Sequence, residues 1–144
     1  MKRALALLVI TLFIGYGVVR VGVGAALLAQ ATSLIDFGAL AGAVTEVAGC
    51  LAERTDRALV PISVPAYFAY IMAMGALLVA GGWGALLRRP WGYVSLATYL
   101  VLHAGLFVNY QEVNPKLVGL AISMVAVGGL AWLRPPERLH PSSA

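Results

Sequence analysis

Charged residues are scarce in this sequence of 144 residues. Only 11% of the residues are charged and 61% are hydrophobic, whereas a typical soluble domain carries about 25% charged residues. A soluble fold of this composition would leave a large apolar surface in contact with water, which is unfavourable. The composition therefore argues against an ordinary soluble domain and favours a protein that lies in a bilayer.

Cysteine and histidine are also scarce, and their scarcity excludes several kinds of redox and metal site. The sequence has one cysteine, Cys50, so an exchanger with paired thiols is excluded. His140 lies in the C-terminal tail, so only His103 could lie at membrane depth, which excludes a haem held by two histidines. No cluster of histidines and carboxylates has zinc spacing, and no glycine-rich phosphate loop precedes a helix. We expect no metal site and no catalytic residue, and an enzyme is the less favoured option. The cofactor stays open, with a quinone as one option.

Long hydrophobic runs dominate what remains. Four segments approach the length of about 20 apolar residues that a bilayer requires, at about 4–29, 66–87, 91–110 and 117–133. Helices are expected because lipid cannot satisfy an open strand edge, and the alternating segments of a membrane barrel are missing. We predict an all-α, polytopic membrane protein in which residues 1–144 form one membrane domain, a bundle of four transmembrane helices.

Lysine and arginine are distributed unevenly between the two sides of such a bundle. If the N-terminus is inside, the inner segments hold six basic residues, namely Lys2, Arg3, Arg88, Arg89, Arg134 and Arg138. The outer segments hold three, namely Arg54, Arg57 and Lys116. This bias predicts that both termini face the cytoplasm, with residues 31–65 and 111–116 outside and a cytoplasmic tail at 134–144. A multi-pass protein of a prokaryotic-type cytoplasmic membrane is expected, and the basic excess does not indicate a nucleic-acid partner.

The N-terminal segment has some features of a cleaved signal peptide. Lys2 and Arg3 precede an apolar run, and Ala29-Gln30-Ala31 resembles a cleavage site. The apolar run is long for a signal peptide, and Arg20 lies within it. We therefore expect a retained transmembrane helix.

The long outer segment between the first and second spans has a helical period. Its apolar residues recur at steps of three and four, at Phe37, Leu40, Ala41, Val44, Val47, Ala48 and Leu51. Asp36 is placed to cap this helix. We predict an outer amphipathic helix over about 37–53, which rests on the membrane surface or folds over the bundle. A plain surface helix with no role beyond packing is an equally open alternative.

Arg20 is the most informative single residue. It lies 17 residues beyond Arg3, which is roughly 25 Å along a helix and so in the outer half of the bilayer. An arginine within a span costs about 2.5–3.5 kcal/mol on insertion scales, so we predict that its guanidinium faces the bundle. The predicted partners come from the third span or the outer helix, namely His103, Asn109, Asp36 and Glu46. A ligand contact and a purely structural or snorkelling role both stay open.

The third span has one face that is rich in polar residues. This face consists of Ser95, Tyr99, His103, Leu106 and Tyr110, at spacings of four, four, three and four. The candidate contacts for a ligand or partner are Arg20, His103, Tyr99, Asn109, Tyr110 and Glu112. The alternative is a bundle whose polar side chains only satisfy one another.

The sequence resembles the DoxX-like group of small four-helix membrane proteins. The likeness lies in Arg20 with Gly22, Gly24 and Ala25, in a helical segment with Phe37 and Leu40, and in Met74-Gly75-Ala76-Leu77-Leu78 before Arg88-Arg89. Many members have a glutamate just before the span-two glycine, where this sequence has Met72, Ala73 and Met74. The resemblance implies an accessory partner of a redox-linked membrane complex, the group being named for a subunit of quinone-dependent sulfur oxidation.

Three functions are compatible with the sequence. The leading prediction is an accessory or interaction subunit of a larger membrane complex, which could be redox-linked. Such a subunit would bind another membrane protein or a second copy of this chain. The alternative is a redox subunit that binds quinone or lipid through Arg20 and His103. A small transporter ranks last because the sequence offers no site for a coupling ion.

Overall fold

The chain is all-α in the part that the structure, a computed structural model, describes: residues 2–111 and 115–137. Its helices are α1 (Lys2–Ala31), α2 (Gly38–Arg54), α3 (Val64–Leu86), α4 (Pro90–Tyr110) and α5 (Lys116–Leu133). A single 3₁₀ turn, Thr55–Arg57, follows α2. These helices cover the four apolar runs and the outer helix predicted from the sequence, so the all-α prediction is confirmed.

Three of these helices have the dimensions of membrane spans. By length and composition, α1, α3 and α4 are long and apolar enough to cross a membrane. The fourth apolar helix, α5, is shorter, with 18 residues, which correspond to about 27 Å against a hydrocarbon core of about 30 Å. A crossing by α5 stays a prediction.

Glycines bring the first two long helices into close contact. A Cβ atom added to Gly17 of α1 would lie 2.8 Å from the carbonyl oxygen of Gly75 in α3, and one added to Gly75 would lie 2.8 Å from that of Gly17. Such small residues are typical of helix interfaces in membranes, because they let two backbones approach each other. The buried core forms around this contact and comprises Ala6, Ile10, Phe13, Met74, Leu78, Ala85, Leu96, Tyr99 and Leu130.

The turn between α3 and α4 is short and tightly closed. Arg88 has a φ of 57°, and the amide of Arg89 donates to the carbonyl oxygen of Gly84 at 2.8 Å. Beyond this turn, Gly84 and Gly92 lie so close that a Cβ atom on either residue would collide with the backbone of the other. The two helices therefore run antiparallel, with the turn at one end of the bundle.

The predicted cap of α2 is wrong. Phe37 is the N-cap residue and no side chain caps the helix, so Asp36 lies one position too early to bond the first free amides. Gln30, at the end of α1, binds the N-cap residue instead, because its Oε1 accepts a hydrogen bond from the Phe37 amide at 2.8 Å. The start of α2 is thus tied to α1.

The antiparallel helices separate the charged residues into two groups. Lys2, Arg3, Arg88 and Arg134 line a common cavity at one end of the bundle, the basic end. Helix α2 lies toward the other end, the α2 end, where its Arg54 borders a second cavity. The structure thus places these four basic residues together and away from Arg54. Which end of the bundle faces the cytoplasm stays a prediction.

Candidate functional site

The α2 end of the bundle contains a cavity of about 420 Å³, to which all five helices contribute. We call it the Arg20 cavity. It is lined by Tyr16, Arg20, Arg54, Tyr67, Ile71, His103, Leu106, Phe107, Tyr110 and Gly119. Its wall combines apolar and aromatic side chains with a few polar groups, and this mixture is typical of small-molecule sites.

Arg20 faces the interior of the bundle, as predicted. Its guanidinium carbon lies 5.0 Å from the centre of the Tyr16 ring and 5.9 Å from that of Tyr99. Its Nη1 also approaches the sulfur of Met74 at 3.7 Å. Within residues 2–111 and 115–137, no carboxylate forms an ion pair with Arg20. The arginine is therefore held mainly by ring faces and a weak sulfur acceptor.

The predicted partners of Arg20 do not bond it directly. The contact from α4 comes from the Tyr99 ring, while His103 lines the same cavity without a hydrogen bond to Arg20 among the described contacts. Asp36 and Glu46 are exposed and form no ion pair with Arg20. Sequence spacing gives the depth of a side chain but not the rotation of a neighbouring helix, so it could not select among these partners.

His103 belongs to an aromatic row along α4. The Tyr99 hydroxyl and His103 Nδ1 lie 3.3 Å apart, and their ring centres are 5.5 Å apart. Phe107 stacks on the other side of His103, with ring centres 5.6 Å apart. The step of four residues places these rings on one face. Tyr99 is only 2% exposed and lies behind the cavity wall, while His103 and Phe107 line the cavity itself.

Asn109 binds the linker that precedes α3. Its Oδ1 accepts the amide of Val60 at 2.8 Å, and its Nδ2 donates to the carbonyl oxygen of Val60 at 3.0 Å. The backbone carbonyl of Asn109 also accepts the Leu59 amide at 2.9 Å. Asn109 thus fastens the linker before α3 to the end of α4 and is not among the residues that line the Arg20 cavity.

Tyr110 does line the cavity, and the centre of its ring lies 5.9 Å from the guanidinium carbon of Arg54 on α2. This contact connects α2 to α4. Glu112, the last of the predicted contacts, lies outside the described residues. The structure therefore brings Arg20, His103 and Tyr110 together around one cavity, and Tyr99 contacts Arg20 and His103 without lining the cavity.

Several cavity residues were not predicted from the sequence. Tyr16 lies four residues before Arg20 on α1, a spacing that places both side chains on one helical face, and this signal could have identified it. Tyr67, Phe107 and Arg54 come from three further helices, and no local pattern connects them. Among the described residues, no group of three or more His, Cys, Asp or Glu residues could hold a metal ion.

Comparisons with protein-family models, with curated proteins and with solved structures give no match to this chain. The DoxX-like resemblance therefore stays a prediction, and the function proposed below rests on the geometry of the cavity.

Proposed function

We propose that this protein crosses a cytoplasmic membrane four times, with both termini inside, and holds an amphipathic ligand of the quinone or lipid type in the Arg20 cavity. The supporting observation is that the guanidinium of Arg20 faces the bundle interior among tyrosine rings, without a carboxylate partner in the described chain. On this account the protein binds its ligand and does not convert it.

The free-energy cost of placing Arg20 in a membrane favours a further hydrogen-bond partner, beyond those in the described chain. An arginine within a span costs up to about 2.5–3.5 kcal/mol on insertion scales, the upper value applying at the helix centre, whereas an arginine over an aromatic ring gains about 0.5–2 kcal/mol. A guanidinium has five N–H donors, and the sulfur of Met74 is a weak acceptor for one of them. A ligand oxygen at this position would accept a charge-assisted hydrogen bond, which is stronger than a neutral one.

The rest of the cavity suits an amphipathic molecule. Its volume of about 420 Å³ lies within the range of about 300–1,000 Å³ found for ligand sites. Ile71, Leu106 and Phe107 provide apolar walls beside Arg20 and His103. A carbonyl-bearing ring or a lipid head group would thus find polar partners at its head and apolar contact along its body.

The proposed topology is supported by the charge distribution. Four basic residues meet at the basic end, whereas acidic Asp36, Glu46, Glu53 and Asp56 lie in the segment containing α2. Lysine and arginine accumulate on the cytoplasmic side of membrane proteins, so the basic end is assigned to the cytoplasm. The Arg20 cavity would then open toward the outer leaflet.

Solvent extraction of the purified protein tests ligand binding. The wild-type protein in mild detergent should release a quinone or a specific lipid that an Arg20→Leu variant does not retain. Arg57→Leu removes an equal charge from an exposed position and serves as the matched control. The proposal would be contradicted if every molecule released by the wild type were released equally by the Arg20→Leu variant, or if the wild type released only bulk lipid.

A role as an interaction subunit is the second candidate, and one surface favours it. Gly22 lies in an apolar groove between α1 and α3, lined also by Val18, Val21, Ala76, Val79, Ala80, Trp83 and Trp91. A Cβ atom on Gly22 would meet nothing within 4 Å, so this small residue is not used inside the bundle. Exposed small residues allow a partner helix to approach closely.

Copurification of a partner protein tests this interaction role. A partner seated on the groove should be lost in Gly22→Leu and kept in Gly128→Leu, because Gly128 is on α5, away from the groove, and also has open space at its Cβ position. If mild-detergent preparations of the wild type contain only a monodisperse lone protomer, the interaction role loses its basis.

A further inference from the structure

A second cavity, of about 480 Å³, lies at the basic end, away from the Arg20 cavity. It is formed where the start of α1, the α3–α4 turn and the end of α5 meet. Its lining comprises Lys2, Arg3, Ala6, Arg88, Leu133, Arg134 and Glu137. Three distant parts of the chain thus direct four cationic side chains to one place.

Arg134 is held in position by the helix ends around it. Its Nη2 donates to the carbonyl oxygen of Leu86 at 2.7 Å, and its own carbonyl accepts the hydroxyl of Tyr93. The amide of Glu137 donates to the carbonyl oxygen of Arg88 at 3.0 Å, which folds the segment after α5 onto the turn. The cationic groups therefore stand on a fixed backbone frame before any ligand arrives.

The charge of this cavity is not balanced within the described chain. Glu137 is the one acidic residue that lines the cavity, and its carboxylate lies 3.6 Å from Arg88 Nη1. The side chain of Glu137 is 71% exposed and that of Arg88 is 47% exposed. Exposed pairs of this kind contribute about 0–1 kcal/mol. An anion in the cavity would offset the mutual repulsion of these cations.

The surroundings of the cavity indicate where this anion comes from. Trp132 lies beside it, with Lys2 Nζ 5.2 Å from its ring centre, and is 74% exposed. Tryptophan is enriched at the level of lipid head groups. Leu5 and Leu8, on the first turns of α1, are 51% and 57% exposed and offer apolar contact for an acyl chain. Free phosphate would use the cations but not this apolar surface.

We infer that the basic-end cavity binds the phosphate of an anionic phospholipid, with Lys2, Arg3, Arg88 and Arg134 around the head group and the acyl chains along the exposed side of α1. Basic pockets between helices at the cytoplasmic surface are known to suit such head groups. This site is separate from the Arg20 cavity and does not depend on what that cavity holds.

Native mass spectrometry in mixed micelles of phosphatidylglycerol and phosphatidylcholine tests the inference. The wild type should retain phosphatidylglycerol in preference to phosphatidylcholine. Each cation removed should weaken that retention by about fivefold, from about 1 kcal/mol for each basic residue near an anionic surface. Arg88→Gln is the first variant, and Arg57→Gln, an equal change at an exposed position of the α2 end, should retain phosphatidylglycerol like the wild type.

Two further measurements keep the inference open to contradiction. Lys2→Gln is the substitute variant in case Arg88→Gln fails to fold, because Lys2 lies in the first turn of α1. It should show the same loss of phosphatidylglycerol retention, about fivefold. Inorganic phosphate added alone should not displace the bound phosphatidylglycerol. Equal retention of the two lipids, equal loss in Arg57→Gln, or full displacement by inorganic phosphate would overturn the inference.

Discussion

The guanidinium carbon of Arg20 on α1 lies 5.9 Å from the centre of the Tyr99 ring on α4. The Tyr99 hydroxyl in turn lies 3.3 Å from Nδ1 of His103. The charge of Arg20 is thus connected to the aromatic wall of the cavity through a ring face, and the carboxylates of α2 take no part among the described contacts. Apart from the bond of Nη1 to the sulfur of Met74, this relationship leaves the donors of Arg20 available to a ligand.

In the ligand-free protein, replacing Arg20 with leucine should leave the thermal stability in detergent unchanged or raise it. A half-buried charge is costly to desolvate, and its removal strands no carboxylate among the described residues. Thermal unfolding of purified Arg20→Leu, with Arg57→Leu as the control, measures this. A fall in the free energy of unfolding by more than about 2 kcal/mol, well beyond the usual effect of a surface substitution, would show that the ring contacts are structural.

Replacing Gly84 with alanine should destabilise the bundle. A Cβ atom at this position would collide with the backbone of Gly92, and overpacking of this kind typically costs about 1–3 kcal/mol. Gly128→Ala is the matched control, because nothing lies within 4 Å of its Cβ position. Alanine there should be neutral or stabilising by up to about 1 kcal/mol, since it has the higher helix propensity. Equal unfolding temperatures of the two variants would contradict the close contact of α3 and α4.

Replacing Asn109 with alanine should loosen the linker before α3. Both side-chain bonds to Val60 would be lost, and each such bond contributes about 0.5–1.5 kcal/mol. Hydrogen exchange at the Val60 amide should accelerate in Asn109→Ala. Asn109→Asp keeps the acceptor for that amide but loses the donor, so its exchange rate should lie between those of the wild type and the alanine variant. Unchanged exchange in Asn109→Ala would show that the tether is not formed.

The proposed topology predicts which positions can be labelled from outside. Cys50 on α2 is exposed and should react with a membrane-impermeant thiol reagent in intact cells. A cysteine at position 89, in a variant that lacks Cys50, should react only after the membrane is opened. Labelling of position 89 from outside, together with protection of Cys50, would reverse the assignment.

The sequence predicted the helices well because their signal is local. The length of each apolar run can be read directly from the sequence. The recurrence of apolar residues every three or four positions between the first two spans placed α2 correctly. The predicted cap at Asp36 was wrong because the helix starts one residue later, with Phe37 as its N-cap residue, and the Phe37 amide is bound by Gln30 of the preceding helix. That contact depends on how the chain turns after α1, which no periodicity reports.

The cavity was predicted only in part, for a related reason. The depth of Arg20 and its inward direction follow from helical rise and the cost of a charge in lipid. Its neighbours depend on how α1, α3 and α4 rotate against each other, and glycine contacts such as that of Gly17 with Gly75 set this rotation. Asn109 was expected near the ligand because it is polar and close to the end of a span. The same properties suit it to fasten a loop.

The most direct test of the proposed function is native mass spectrometry of the wild type beside Arg20→Leu and Arg57→Leu, each released from the same mild detergent. The account predicts a discrete adduct of quinone or lipid mass on the wild type and on Arg57→Leu, distinct from any anionic phospholipid held at the basic end, which survives removal of the detergent and is missing from Arg20→Leu. An Arg20→Leu variant with the same set of adducts as the wild type, or a wild type with no adduct beyond basic-end phospholipid, would contradict the claim that Arg20 holds a ligand in this cavity.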